Sequence, residues 1–432
     1  MSSGGNSSPV HLLRGGMVGL GMIFEETYRP FFEHARAQGF YDPRFGACHV
    51  HLAAVASRTG RRAERYLRER SQQLGRFQSF TEPDSVGQML QQAPVDFVCV
   101  ATPDDRHYEA ACKVLQAGKH LLVEKPSVLS LQQLDHLTQL ARQHGVLAKV
   151  VYHKLLDPDH KKLRTLVVQG ELKHVNHGYC SLLEPKQISS QQFAEWIQGR
   201  NPGTYVAVHY IKLIDFTFPG RLKAVLCSGQ RGLVGPPDGN TWDSTQLRLV
   251  YQYDDRREAA FDIHTSWVTP DNFPGYVEQE VQFRFDNGVW NGHSRKRGVE
   301  LTIEGQTPLQ KKITLNNHYN ATFIEPWGEE SQRGYGIEVL ERFVREVAYV
   351  EFGGPDSQRQ QRLEQMQSLD YNDLAADRQV VAAVQAMEAI LEQAAAGHPD
   401  AVVYVDHPRG GLVLFRPGDP EPHVLYEPRV RP

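Results

Sequence analysis

The sequence has no surplus of positive charge. Its 47 Lys and Arg stand against 51 Asp and Glu, for a formal net charge of -4. No basic tract dominates, which argues against a nucleic-acid partner. Cysteine is scarce: Cys48, Cys99, Cys112, Cys180 and Cys227 are scattered, odd in number and without a CxxC pair. That pattern excludes a disulfide framework and a zinc ribbon, and fits reduced thiols in a cytoplasmic protein. The 19 histidines contain no HxxxH or HExxH spacing, so no metal is expected. Long apolar runs are also missing. The apolar stretch after Pro9 is broken by Arg14, is too short to cross a bilayer and lacks a small-residue cleavage site, so no membrane association is expected. Residues 1–10 are rich in Ser and Gly and are read as disordered.

What is present is an ordinary globular composition. The chain has 432 residues, 40% hydrophobic and 23% charged, enough for two domains with sizeable cores. Up to residue 154, short apolar runs alternate with helical patterns. Runs at 17–19, 51–56, 95–101, 120–123 and 146–152 read as buried strands. Between them, 108–117 and 131–144 repeat apolar positions at helical spacing. Wholly apolar strands separated by helices predict a parallel, doubly wound Rossmann sheet. Beyond residue 155 the pattern changes. Stretches 158–170, 191–199 and 204–216 read as helices. Strands then alternate strictly: Leu247, Leu249, Tyr251 and Tyr253; Phe261, Ile263, Thr265 and Trp267; Val281, Phe283 and Phe285; Val299, Leu301 and Ile303. Alternation gives one buried and one wet face, which predicts an α+β domain with a large, mostly antiparallel sheet over 155–395. Stretch 306–334 reads as a long irregular loop, and helices are expected near 337–347 and over 371–395. Residues 396–432 read as a separate strand-like extension.

Four stretches carry chemistry. Gly19-Leu20-Gly21-Met22-Ile23 lies between an apolar strand and a helix. Gly19 suits a tight turn, and Gly21 lets backbone approach a pyrophosphate at the helix start. The third glycine of that fingerprint is replaced by Phe24, so helix–strand packing is expected to differ there. The next strand ends at Ser57 and Arg58, with Arg62 beyond and no acid to accept the ribose hydroxyls. A serine and arginines there fit a 2′-phosphate, which favours NADP over NAD. The long spacing from Gly19 is attributed to an insertion around 39–48. A third strand ends at Thr102-Pro103, with His107 opening the following helix. A fourth ends at Glu124-Lys125-Pro126, where proline stiffens the backbone that carries Lys125.

Together, in this order, these segments resemble the glucose–fructose oxidoreductase, inositol dehydrogenase and MocA family. The resemblance covers about 16–395. It rests on Gly19–Ile23, on Ala101-Thr102-Pro103 with His107, and on Gly118-Lys119-His120 leading into Glu124-Lys125-Pro126. It implies a nicotinamide cofactor, carbohydrate-like substrates and a C-terminal sheet that serves as a homo-oligomer interface. It also implies a catalytic histidine on a helix of the second domain, flanked by acids. Here His209 is retained, but Tyr205 and Lys212 stand where the acids are expected. Where the family has Asn and Arg before a proline, this chain has His153-Lys154, then Asp157-Pro158. Lys154 and Lys212 either enrich the pocket in cations, favouring an anionic substrate, or point to solvent. Asp215 is expected to point elsewhere.

The expected activity is hydride transfer between NADP or NAD and a secondary alcohol of a sugar, inositol or sugar acid. Lys125 and His209 are the catalytic candidates, with Tyr205 as an alternative proton carrier. Cofactor candidates are Gly19, Gly21, Met22, Ile23, Ser57, Arg58, Arg62, Thr102, Pro103, His107, Glu124 and Lys125. Substrate candidates are Lys125, His153, Lys154, Tyr205, His209 and Lys212. Two other readings remain: a glycoside hydrolase that recycles a tightly bound NAD, and a non-catalytic sugar or nucleotide sensor on the same fold.

Overall fold

The computed structural model describes residues 10–192, 197–273, 277–293, 299–302, 312–369, 371–406 and 410–428. The chain divides into two compact units. The first holds 10–128, 133–153 and 318–376; the second holds 129–132, 154–317 and 377–428.

The first unit is built on a parallel sheet. Strands β1 (Val10–Val18), β2 (Phe40–Asp42), β3 (Gly46–Ala56), β4 (Gln78–Phe80), β5 (Phe97–Val100), β6 (His120–Val123) and β7 (Ala148–Val150) form it. The order is β2-β3-β1-β5-β6-β7, with β4 also on β3. Only β2 runs antiparallel, pairing Phe40 with Cys48 and Asp42 with Gly46. The extra residues at 39–48 are therefore a hairpin that lengthens the sheet. Val10 already pairs with Ala47, so the expected disorder does not extend to residue 10, and residues 1–9 lie outside the described set. Strands β5 and β6 are buried at every position, which explains their unbroken apolar sequence. Helices α1 (Arg29–Ala37), α2 (Arg61–Glu69), α3 (Ser71–Leu74), α4 (Ser85–Gln92), α5 (His107–Gln116) and α6 (Leu131–His144) connect them.

The second unit opens with α7 (Pro158–Val168), capped by Asp157, whose side chain accepts from Asp159 N at 3.0 Å. Next come β8 (Val175–Pro185), α8 (Val208–Thr217), β9 (Arg221–Gln230), β10 (Ser244–Gln252), β11 (Glu258–Thr269), β12 (Glu278–Phe285) and β13 (Val289–His293). Strands β14 (Val299–Thr302) and β15 (Lys312–Leu315) make a small ladder of their own. The large sheet is antiparallel except where β11 pairs with β8. Its buried face carries Leu247, Leu249, Phe261, Ile263, Trp267 and Phe283, with the segment before α8 packed on β8, β10 and β11. Phe218 packs on Phe283 at 4.9 Å and on Phe261 at 5.7 Å between ring centroids. Each such side chain contributes roughly 1.5–3 kcal/mol when fully buried. Of the helix expected at 191–199, residues 193–196 lie outside the described set; Ile188–Gln192 forms a π-helical turn.

The chain then returns to the first unit with a hairpin, β16 (Ala321–Ile324) and β17 (Glu330–Arg333), and helices α9 (Tyr335–Phe352) and α10 (Arg359–Gln367). The stretch read as a wholly irregular loop thus contains strands. The return also departs from the expected boundaries, which kept 155–395 in one domain. Its cause is packing: Phe343 of α9 meets Phe97 of β5 at 5.7 Å, and buried Lys149 of β7 lies 3.3 Å from Asp373 and 3.6 Å from Glu346. Helix α11 (Arg378–Ala395) and β18 (Val402–Asp406), β19 (Gly411–Phe415) and β20 (His423–Tyr426) rejoin the second unit. The last three strands extend the large sheet through β18 on β9, so β18, β19 and β20 belong to that sheet and are no separate extension. Among the described residues, no helix is long and apolar enough to cross a membrane.

Candidate active site

In the first unit, the ends of β1, β3, β5 and β6 bring the sequence candidates to one edge of the sheet. Gly19 leaves β1 with φ +91, and its N–H donates to Ala56 O at 3.0 Å. A Cβ there would lie 2.3 Å from the Ala101 carbonyl oxygen, so only glycine fits between the two strand ends. Around Gly21 no atom lies within 4 Å of the Cβ position. The close approach at Gly19 serves the protein itself; the open space at Gly21 suits a bound group. Met22 and Ile23 begin the helix. Phe24, in place of a third glycine, is buried with its ring 5.2 Å from that of Tyr66, and the helix loosens into a π turn over Phe24–Tyr28.

Arg62 donates to Leu20 O at 2.7 Å, which sets a cation against the glycine loop. Ser57 Oγ accepts from Gly60 N at 3.2 Å, while Arg58 is exposed. At the end of β5, the Thr102 hydroxyl is buried without a hydrogen-bond partner among the described residues. Such an orphan calls for an outside partner. Together with the space at Gly21, it shows that these residues fit a dinucleotide. His107 sits elsewhere than expected of a cofactor contact. Its ring is buried, with Nδ1 2.8 Å from Pro126 O and Nε2 2.9 Å from Thr102 O. It ties the third and fourth candidate segments together. Burial lowers its pKa, and the Pro126 carbonyl and Asp104 pull the other way.

Glu124 is buried as well and accepts from the Tyr28 hydroxyl at 3.0 Å. Burial pushes its carboxyl up; Lys125 and the Tyr28 hydrogen bond oppose that rise. Lys125 itself is half-buried. His153 is buried, 5.8 Å from the Tyr319 ring.

In the second unit, a π turn over Gly203–Ala207 runs into α8. Tyr205 and His209 are each partly exposed between buried neighbours. Tyr205 lies 6.4 Å from the ring of Trp267, whose indole N–H donates to buried Glu184 at 2.8 Å. Lys154 and Lys212 do not point to solvent: both are buried. Lys154 donates to the Gln279 amide oxygen and stands 5.2 Å from the centre of the Tyr210 ring. Lys212 lies 4.0 Å from Asp215, which also accepts from Gln379 at 2.7 Å. Asp215 thus turns to Lys212, one helical turn away. No group of three or more His, Cys, Asp or Glu arranged for a metal occurs among the described residues. Sequence reasoning missed Tyr28, Gln279 and Glu184. Only a conspicuous tyrosine in the first helix hinted at Tyr28.

A family model described as "Oxidoreductase family, NAD-binding Rossmann fold" matches residues 13–152. D-xylose dehydrogenase of Paenarthrobacter nicotinovorans is 33% identical over 289 residues, 62% of this chain and 71% of that protein. This chain belongs to the glucose–fructose oxidoreductase, inositol dehydrogenase and MocA family. Other members match over less. The NADP(+) scyllo-inositol 2-dehydrogenase of Bacillus subtilis is 33% identical over 106 residues, 24% of this chain and 27% of its own. With several curated family members the chain thus aligns over only about a quarter of their length. The solved scyllo-inositol dehydrogenase of Lactobacillus casei, with bound NAD(H) and scyllo-inositol, has the same fold: TM-score 0.60 and 16% identity, over 91% of this chain and 99% of that one.

Proposed function

We propose that the protein is a nicotinamide-dependent oxidoreductase that acts on a secondary alcohol of a sugar, inositol or sugar acid. The observation that carries this reading is Lys125, half-buried at a strand end beside an orphaned Thr102 hydroxyl and an open glycine loop. Family members named as dehydrogenases of xylose and scyllo-inositol support it. Gly19, Gly21, Met22, Ile23, Thr102 and Pro103 would hold the cofactor. When bound, the nicotinamide would supply the hydride acceptor or donor. Lys125 orients the substrate oxygen and stabilises the negative charge that develops on it. His209 takes the hydroxyl proton as general base, a role imidazole fills most often, with Tyr205 as the alternative proton carrier. Ser57, Arg58 and Arg62, with no acid among them, favour NADP. The cation of Lys154 favours a substrate with a carboxylate.

The exposure of Leu226, Tyr404 and Phe415 on neighbouring strands of the large sheet supports a homo-oligomer contact on that face. The free thiols of Cys48, Cys99, Cys112, Cys180 and Cys227 support a cytoplasmic location. The test is a screen of sugars, inositols and uronates for reduction of NAD and of NADP by the purified protein. Turnover with NADP exceeding that with NAD is expected; no turnover of any polyol with either cofactor would defeat the reading.

A further inference from the structure

We propose that Tyr28 is a positioning residue for Lys125, acting through the Glu124 side chain; this rests on the oxidoreductase reading. Tyr28 belongs to the helix that follows the glycine loop and is 0% exposed, so it touches no ligand. Its hydroxyl meets Glu124, 96 residues further on, at 3.0 Å. Phenylalanine would fill the same shape without carrying a polar atom into the core. A buried hydroxyl is tolerated because it is paired, and its partner is the residue next to Lys125.

The chain around Lys125 is held at three points. Glu124 N donates to Val100 O at 2.9 Å, the Glu124 carboxyl is held by Tyr28, and Pro126 O is held by His107. Both side-chain clamps come from helices that follow other candidate strand ends. Glu124 faces Tyr28, Lys125 and Cys99; Tyr319 acts on Tyr28, and Asp104 on His107. The Tyr28 hydrogen bond favours the ionised carboxylate. Without it Glu124 holds its proton to higher pH, and the Lys125 ammonium loses a neighbouring negative charge. Tyr28 thereby sets both the place and the charge of the lysine's surroundings.

The experiment compares Tyr28→Phe, Glu124→Gln and the double variant in the full chain. Three quantities are read: steady-state kinetics on the best polyol from the screen, NADP and NAD binding by fluorescence, and the pH dependence of Lys125 acylation by acetic anhydride, followed by peptide mass spectrometry. The last needs no turnover. Tyr28→Phe is expected to lower kcat roughly tenfold, as the loss of a hydrogen bond to a charged group does. In Tyr28→Phe the cofactor Kd should stay within about twofold, because Tyr28 is not among the cofactor candidates. The acylation midpoint of Lys125 should move to lower pH in both single variants, and the double variant should be no worse than Glu124→Gln. Multiplying losses in the double variant would overturn the proposal, since Tyr28 would then act independently of Glu124. So would an unmoved Lys125 midpoint. If the wild type turns over no polyol, the oxidoreductase reading falls, and the acylation profile still decides the role of Tyr28. If Tyr28→Phe does not fold, an unmoved Lys125 midpoint in Glu124→Gln overturns the proposal by itself.

Discussion

The two units build their candidate groups in different ways. In the first, they hang on strand ends and are locked through backbone atoms: Gly19 against Ala101 O, Arg62 on Leu20 O, His107 between two carbonyls. In the second, they sit on the turn before α7 and on α8 with the π turn ahead of it, and interact through side chains: Tyr205 near Trp267, Lys154 on Gln279, Lys212 near Asp215. Backbone locks leave little choice of residue, because a peptide position tolerates few φ values and close approaches. Side-chain contacts tolerate exchange as long as volume and charge are met. The first unit's candidates therefore leave less room for substitution than those of the second.

The largest expected effect tests the locked unit. Lys125→Ala should reduce turnover by about 10³-fold or more, with NADP and NAD binding nearly unchanged; near-wild-type kinetics would remove the lysine from the chemistry. In the second unit, His209→Ala should cost about 10²-fold in kcat and Tyr205→Phe much less. The reverse ranking would make Tyr205 the proton carrier. Lys154→Ala should lower kcat/KM for a uronate by about tenfold and barely alter that for its neutral analogue. Equal losses on both would end the anionic-substrate assignment.

The smallest effect concerns stability of the first unit. There Glu351 accepts from His120 at 2.8 Å and from Arg359 at 2.6 Å. Those two partners outweigh burial and bring its carboxyl down to about 2 from the usual 4.5. A depressed folded pKa stabilises above the unfolded value, and that stability is lost as pH falls from about 4.5 toward about 2. Glu351→Gln should therefore lose about 1 kcal/mol at pH 7 and show a flatter acid limb in urea melts between those pH values. Parallel acid limbs would show that the ion pairs contribute nothing net.

Much of the first unit was legible because its signals are local. Wholly apolar runs marked β5 and β6, and Gly19 with Lys125-Pro126 marked the strand ends. Alternation at Leu247–Tyr251 and Phe261–Trp267 likewise foretold a one-sided sheet. What was not legible depends on pairings far apart in the chain. Tyr28 and Glu124 are 96 positions apart, and nothing local to either one names the other. The solvent alternative for Lys154 and Lys212 failed for the same reason, since burial is set by neighbours from other elements.

By itself, then, the sequence determined the glycine turn, the Lys125-Pro126 step and the periods of both sheets, because each is a property of a few adjacent residues. Tertiary structure alone decided that α9 and α10 return to the first unit, that β18, β19 and β20 extend the second unit's sheet, and that Tyr28 reaches Glu124. Those outcomes follow from which apolar faces and unpaired backbone edges find each other, a choice that no short window of sequence contains.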